Sequence, residues 1–290
     1  MTEGEFDGHA RLFRVGVDYD LHNGAFVFGG FIVDWDGPNR GMQLLDHNTA
    51  GDSEIRNIVF RGRHSLGCEG ALRLNPQTPD STCLLQNIDM RAGGQHYTDT
   101  INTRSERDGE SWATSGLTAH PDKAGTLHVD RVYCGGWPDN GLYVKGGPGQ
   151  TIVTHSIAAN SKIANIRING KGSLIDRCTV IINREISEHF DGQVGIRLDD
   201  GTPTLRRTRV EISSPIPTYA IFSRQVEEAW IHNVDVALGV DCVGIMCSEL
   251  AGPTHITNVR FRTPTTGGGR LILGSPARPS DVTDDGVTIH

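Results

Sequence analysis

The stretch IANIRINGKGSLIDRCTVII (163–182) is answered 30 residues later by VGIRLDDGTPTLRRTRVEI (194–212). Each holds two short segments of alternating character, NIRI with IDRCTV in the first and GIRL with LRRTRV in the second. Turn residues, glycine among them, separate the two. Alternation with period two reads as strand. Short strands recurring at an interval of about 20–50 residues read as a solenoid, whose units bury apolar surface only by stacking.

The second segment recurs as IRNIVF at 55, LQNIDM at 85, VDRVYC at 129, VTHSIA at 153, IHNVDV at 231 and ITNVRF at 256. Most copies lie 22–30 residues apart, and one interval is 44. The first segment recurs as ALRL at 71, GLTA at 116, GLYV at 141, AIFS at 220, GIMC at 244 and RLIL at 270. FIVDW at 31 with GMQLL at 41 suggests one earlier unit. The fold class expected is all-β, a single-stranded right-handed parallel β-helix of about nine coils. It is expected over 24–275, with a lead-in segment at 1–23 and a tail at 276–290. The long interval predicts an inserted polar loop at about 94–124, holding His96, Trp112 and His120.

Composition agrees. Glycine supplies 36 of 290 residues while aromatics make 6%. Glycine costs about 1 kcal/mol at an interior helix position, so a helical bundle is excluded, whereas solenoid corners use glycine freely. With 37% apolar residues the chain is not of the disordered class. No apolar run approaches membrane-spanning length, so no membrane insertion is expected. A net charge of −8 and a pI of about 5.8 argue against nucleic acid as partner. Lys123, Lys145, Lys162 and Lys171 are the only lysines, and arginine supplies the other basic residues, a salt-adapted look. The N-terminus shows no secretory signal. The six cysteines form no CxxC and no zinc spacing, so they are expected as reduced core residues, with no metal and no cofactor.

Stacking puts equivalent residues in columns. The third position of the six-residue motif is Asn57, Asn87, Arg131, His155, Arg177, Arg207, Asn233 and Asn258, never apolar. The asparagines are expected to form a structural corner ladder. In the other series the central residue should point outward, giving a column of Arg73, Thr118, Tyr143, Arg167, Arg197, Phe222 and Met246. Lys145, Asn169, Asp199 and Ser223 are expected just beyond. Tyr143, Lys145, Arg167, Arg197 and Phe222 are therefore the candidate substrate-binding residues, a groove for an extended polysaccharide or cell-surface glycan. Asp139, Asp199 and Asp200 are the candidate catalytic carboxylates, since glycoside hydrolysis needs two. No catalytic motif of specific spacing is present.

The stretch 137–201, with DNGLY at 139–143, IANIRI at 163–168 and GIRL at 195–198, resembles the right-handed parallel β-helix repeat proteins of halophilic archaea and their viruses, within the pectin-lyase-like superfamily. The resemblance covers roughly residues 24–275. It implies the fold and, less directly, a virion tail spike, fibre or adhesin that binds glycan, located at a virion surface. A homo-oligomer, a trimer by likeness to tail spikes, or association with other virion proteins follows from it. A polysaccharide lyase or hydrolase is the alternative, and a purely structural module the third reading. The polygalacturonase-type pattern is not reproduced, because Asp199-Asp200 stands without a following GHG.

Overall fold

A computed structural model describes residues 11–16, 26–35, 43–64, 70–94, 114–184, 193–214, 217–263, 270–284 and 287–289. The described residues form strands and turns, with no helix. Two sheets run the length of the stack. Sheet A has ten strands: Arg11–Val15, Gln43–Thr49, Gly70–Pro76, Ser115–Ala119, Leu142–Val144, Ala164–Ile168, Gln193–Leu198, Pro217–Ser223, Val243–Cys247 and Ile272–Leu273. Sheet B has fourteen, from Phe26–Asp34 to Val287–Ile289. The chain passes alternately between the sheets, and every pairing is parallel except that of Val287–Ile289 with Ala277–Asp284. This is a parallel β-helix of about eight turns.

The core is a set of apolar ladders. In sheet A, Leu45, Leu72, Leu117, Leu142, Ile166, Ile196, Ile221 and Ile245 stand in register, each fully buried. Sheet B answers with Ile55, Leu85, Val129, Val153, Ile175, Leu205, Ile231 and Ile256. Burying such a side chain contributes roughly 1.5–3 kcal/mol, so each coil is stabilised through its neighbours. The inward residues are those that the alternating pattern marks.

Sheet B is kinked along one line. Asn57, Asn87, Arg131, His155, Arg177, Arg207, Asn233 and Asn258 all have φ between 48° and 57°. Gly30, at φ 81°, precedes Asn57 in register, and Asp281, at φ 52°, follows Asn258. One left-handed residue per coil turns the strand through the corner. That region costs an ordinary L-residue about 1–2 kcal/mol and favours Gly and Asn. The amide ladder is present at both ends: Asn87 Nδ2 donates to Asn57 Oδ1 at 3.1 Å, and Asn258 Nδ2 to Asn233 Oδ1 at 2.6 Å. Arg131 Nε extends the first by donating to Asn87 Oδ1 at 3.1 Å.

Several boundaries differ from expectation. Arg11–Val15, inside the expected lead-in, already pairs in parallel with Gln43–Thr49, so the sheets begin earlier. Ala277–Asp284, expected as tail, adds a further parallel strand to sheet B. Of the expected loop, His96 and Trp112 lie outside the described residues, and 115–119 is a sheet A strand. Lys123, at the loop's end, is fully buried: its ammonium donates to the carbonyls of Gly149 and Gln150, the latter at 3.1 Å, and burial lowers its pKa to about 8. Gly147 lets the two coils' backbones approach there, since a Cβ would lie 2.0 Å from the Lys123 carbonyl oxygen. The described cysteines, Cys83, Cys134, Cys178, Cys242 and Cys247, are buried free thiols.

Candidate functional site

The outward column exists as a register. Arg73, Thr118, Tyr143, Arg167, Arg197, Phe222 and Met246 are successive Cα partners along sheet A. Pleating sends their neighbours Leu142, Ile166, Ile196 and Ile221 inward and leaves these side chains on the far side. Thr118 departs from the expectation: it is buried, its hydroxyl donating to the Leu72 carbonyl at 3.4 Å. Ser223 departs too. It pairs with Leu198, is fully buried and shares a 2.9 Å hydrogen bond with Thr254, so Arg224 occupies the row beside Asp199. A one-residue slip exchanges the two faces of a strand.

The middle of the column is tied together by Asp199. Its side chain is fully buried at the end of Gln193–Leu198. Arg167 Nε donates to Oδ2 at 2.6 Å and Arg197 Nε to Oδ1 at 3.0 Å, while Lys145 Nζ stands 3.5 Å away. Lys145 also reaches Asp200 at 3.0 Å, on a half-exposed residue at φ 35° where the chain leaves the strand. Burial alone would raise the Asp199 pKa. The charges of Arg167 and Arg197, with their hydrogen bonds, outweigh it and hold the carboxyl below its ordinary range.

The arginines also cover the aromatics. The Arg167 guanidinium carbon lies 4.7 Å from the Tyr143 ring centre, and that of Arg197 5.9 Å from Phe222. Such contacts are worth about 0.5–1 kcal/mol at exposed sites and more when desolvated. Each guanidinium is thus fixed by a ring on one coil and a carboxylate on another. Each spends its Nε on Asp199, and among the described residues its terminal nitrogens make no hydrogen bond. Lys145, Arg167 and Arg197 pair with Asp199 and Asp200, Arg224 adds a positive charge near Arg197, and the Asp139 carboxyl lies within reach of the Arg167 charge.

Asp199 has three cations at its oxygens and no exposure, which suits a counter-ion and disables a base or nucleophile. Asp139 accepts from Ser115 Oγ at 2.8 Å and Asn140 Nδ2 at 2.9 Å. Burial raises its pKa, and those hydrogen bonds and the Arg167 charge offset only part of that. Among the described residues no group of three or more His, Cys, Asp or Glu side chains could hold a metal. Sequence reasoning missed Arg224, for which the signal was its position two residues beyond Phe222. No known family model matches the chain, and no curated protein or solved structure matches it.

Proposed function

We propose that this chain is a non-catalytic β-helical surface protein, of the tail-spike or adhesin kind, that holds an extended acidic glycan along the Tyr143–Arg167–Arg197–Phe222 column. The observation that carries the reading is the fixed pair of guanidiniums with unused terminal nitrogens. Paired N–H groups held in place match the carboxylates of a uronate or the oxygens of a sulfate ester. Their anchoring reduces the side-chain ordering cost of binding. The spacing from Arg167 to Arg197 is one coil step, about 4.8 Å, which suits a ligand that repeats along the rod.

Equilibrium titration with polygalacturonate, alginate and neutral dextran tests this. Binding of the acidic polymers, weakened at least tenfold by Arg167→Ala and by Tyr143→Ala, is expected, with no binding of dextran. Equal binding of dextran, or variants that bind as the parent does, would remove the reading. Asp139, protonated more readily than an ordinary aspartate and influenced by Arg167, is the observation that favours the enzymatic alternative. New reducing ends or unsaturated products on incubation with these polymers would establish that alternative, and Asp139→Asn would then abolish them.

A further inference from the structure

The corner line of sheet B changes character in its middle. Its ends carry Asn57, Asn87, Asn233 and Asn258, the residue type best suited to a left-handed backbone after glycine. Four consecutive coils between them carry Arg131, His155, Arg177 and Arg207 at the same backbone angle. Arginine gains nothing from that conformation, and beyond Arg131, which still donates to Asn87 Oδ1, the line carries no side-chain amide until Asn233.

Three of those four coils are opened, while in that of Arg131 the strand Thr126–Gly135 stays continuous. Elsewhere the strand runs unbroken through the corner, as in Thr82–Met90 and Ala229–Leu238. Here it splits into Thr151–Thr154 and Ile157–Ala159, Leu174–Asp176 and Thr179–Ile182, Thr204–Arg206 and Arg209–Ile212. Hydroxyls replace ladder carbonyls at the breaks: Ser156 Oγ accepts from the Val132 amide at 3.1 Å and Thr208 Oγ1 from that of Cys178 at 3.3 Å. The inward row that is Ile58 and Ile88 earlier in the stack becomes Ser156, Cys178 and Thr208. Beside the breaks lies an open concavity of about 320 Å³, lined by Arg177, Arg207, Arg209, Thr208 and Asn233 and by Asp235, whose carboxylate pairs with Arg260 at 2.7 Å.

The arginines are posted there by a buried anion. Asp176, 4% exposed, accepts from Arg207 through two nitrogens and from Arg206 and Arg177 at 3.3 Å each. Three guanidiniums on one carboxylate leave two positive charges unmatched, and all three side chains are 37–50% exposed. Asp130 serves Arg131 at 3.0 Å and His155 at 3.0 Å in the same way. Arg209 faces Glu211 and is balanced by it.

We propose that this basic stretch of the corner line is a second binding site, for the sulfate groups of an anionic glycan lying along sheet B. It does not depend on the sheet A reading, since no residue is shared. Dextran sulfate is the probe, with dextran and inorganic sulfate as controls. Hydrogen exchange of the whole chain should show protection at 177–179 and 207–209 with dextran sulfate. Arg131→Asn with Arg177→Asn should lower affinity for it at least tenfold while leaving Tm unchanged or a few degrees higher, because asparagine suits the backbone there. Protection confined to 143–145 and 197–199 would leave the sheet A reading standing and overturn this one. Unchanged affinity in the double variant, or a fall in its Tm, would also overturn it by giving the guanidiniums a structural role. Protection by inorganic sulfate equal to that by the polymer would reduce the site to a simple ion site and defeat the glycan assignment.

Discussion

Asp199→Asn keeps the shape of the side chain and removes a charge from a point where three cations meet. Arg167, Arg197 and Lys145 lie 2.6, 3.0 and 3.5 Å from its oxygens, and the two arginine side chains are only 14% exposed. Removing one partner of a buried ion pair costs roughly 3–5 kcal/mol. The amide oxygen still accepts one hydrogen bond and Lys145 keeps Asp200, so the expected loss is about 2–4 kcal/mol. In a chain of this size each kcal/mol moves Tm by roughly 2 °C, giving a fall of about 4–8 °C at pH 7. The folded pKa of Asp199 lies below that of the unfolded chain. Its contribution is therefore complete above the unfolded value of about 3.9 and is lost as pH falls through the lower folded value. Thermal unfolding of parent and variant from pH 2 to pH 7 should converge on the acid side. A coupling of about 1–3 kcal/mol with Arg167→Gln in a double-mutant cycle would locate the effect at this pair. A variant Tm within about 1 °C of the parent at pH 7 would show that the carboxylate does not hold the arginine pair.

Three further outcomes are expected. Asn87→Ala should cost about 1–2 kcal/mol in urea unfolding, from its φ of 55° and its two ladder bonds. Asn87→Gly should recover the backbone part, so equal losses for Ala and Gly would contradict the corner argument. Lys123 is protonated less readily in the folded chain than in the unfolded one, its pKa lowered to about 8 from 10.5. Between those values the unfolded chain binds more protons, so stability should rise with pH across that window, and Lys123→Met should flatten the rise. Burial pushes the Cys178 and Cys242 thiols to about 12 and about 11 and raises the other three described cysteines. A thiol reagent at pH 8 should leave all five unmodified in the native protein and modify them in denaturant, as peptide mapping would show.

Whatever depends on a residue and its immediate neighbours is legible in the sequence. Alternation names the inward ladder of Leu117, Leu142, Ile166 and Ile196, because pleating leaves a strand residue only two directions. The third motif position names the corner, because the left-handed region is a property of single residues. The outward column from Tyr143 to Phe222 follows from the same alternation once the repeats are aligned. What those columns do is set by contacts between coils. Asp199 becomes a counter-ion only because Arg167, 32 residues earlier in the chain, arrives beside it one coil away. Asp176 likewise gathers Arg206 and Arg207 from the next coil, 30 and 31 residues on. Arg224 shares a row with Asp199 by the same count, each lying two residues beyond its column residue, but the sequence does not say that Asp199 is buried. Nor does it say that Thr118 is covered, or that the corner opens between His155 and Arg207. Those depend on side chains meeting across coils, where distance and burial set the charge balance and no local pattern records them.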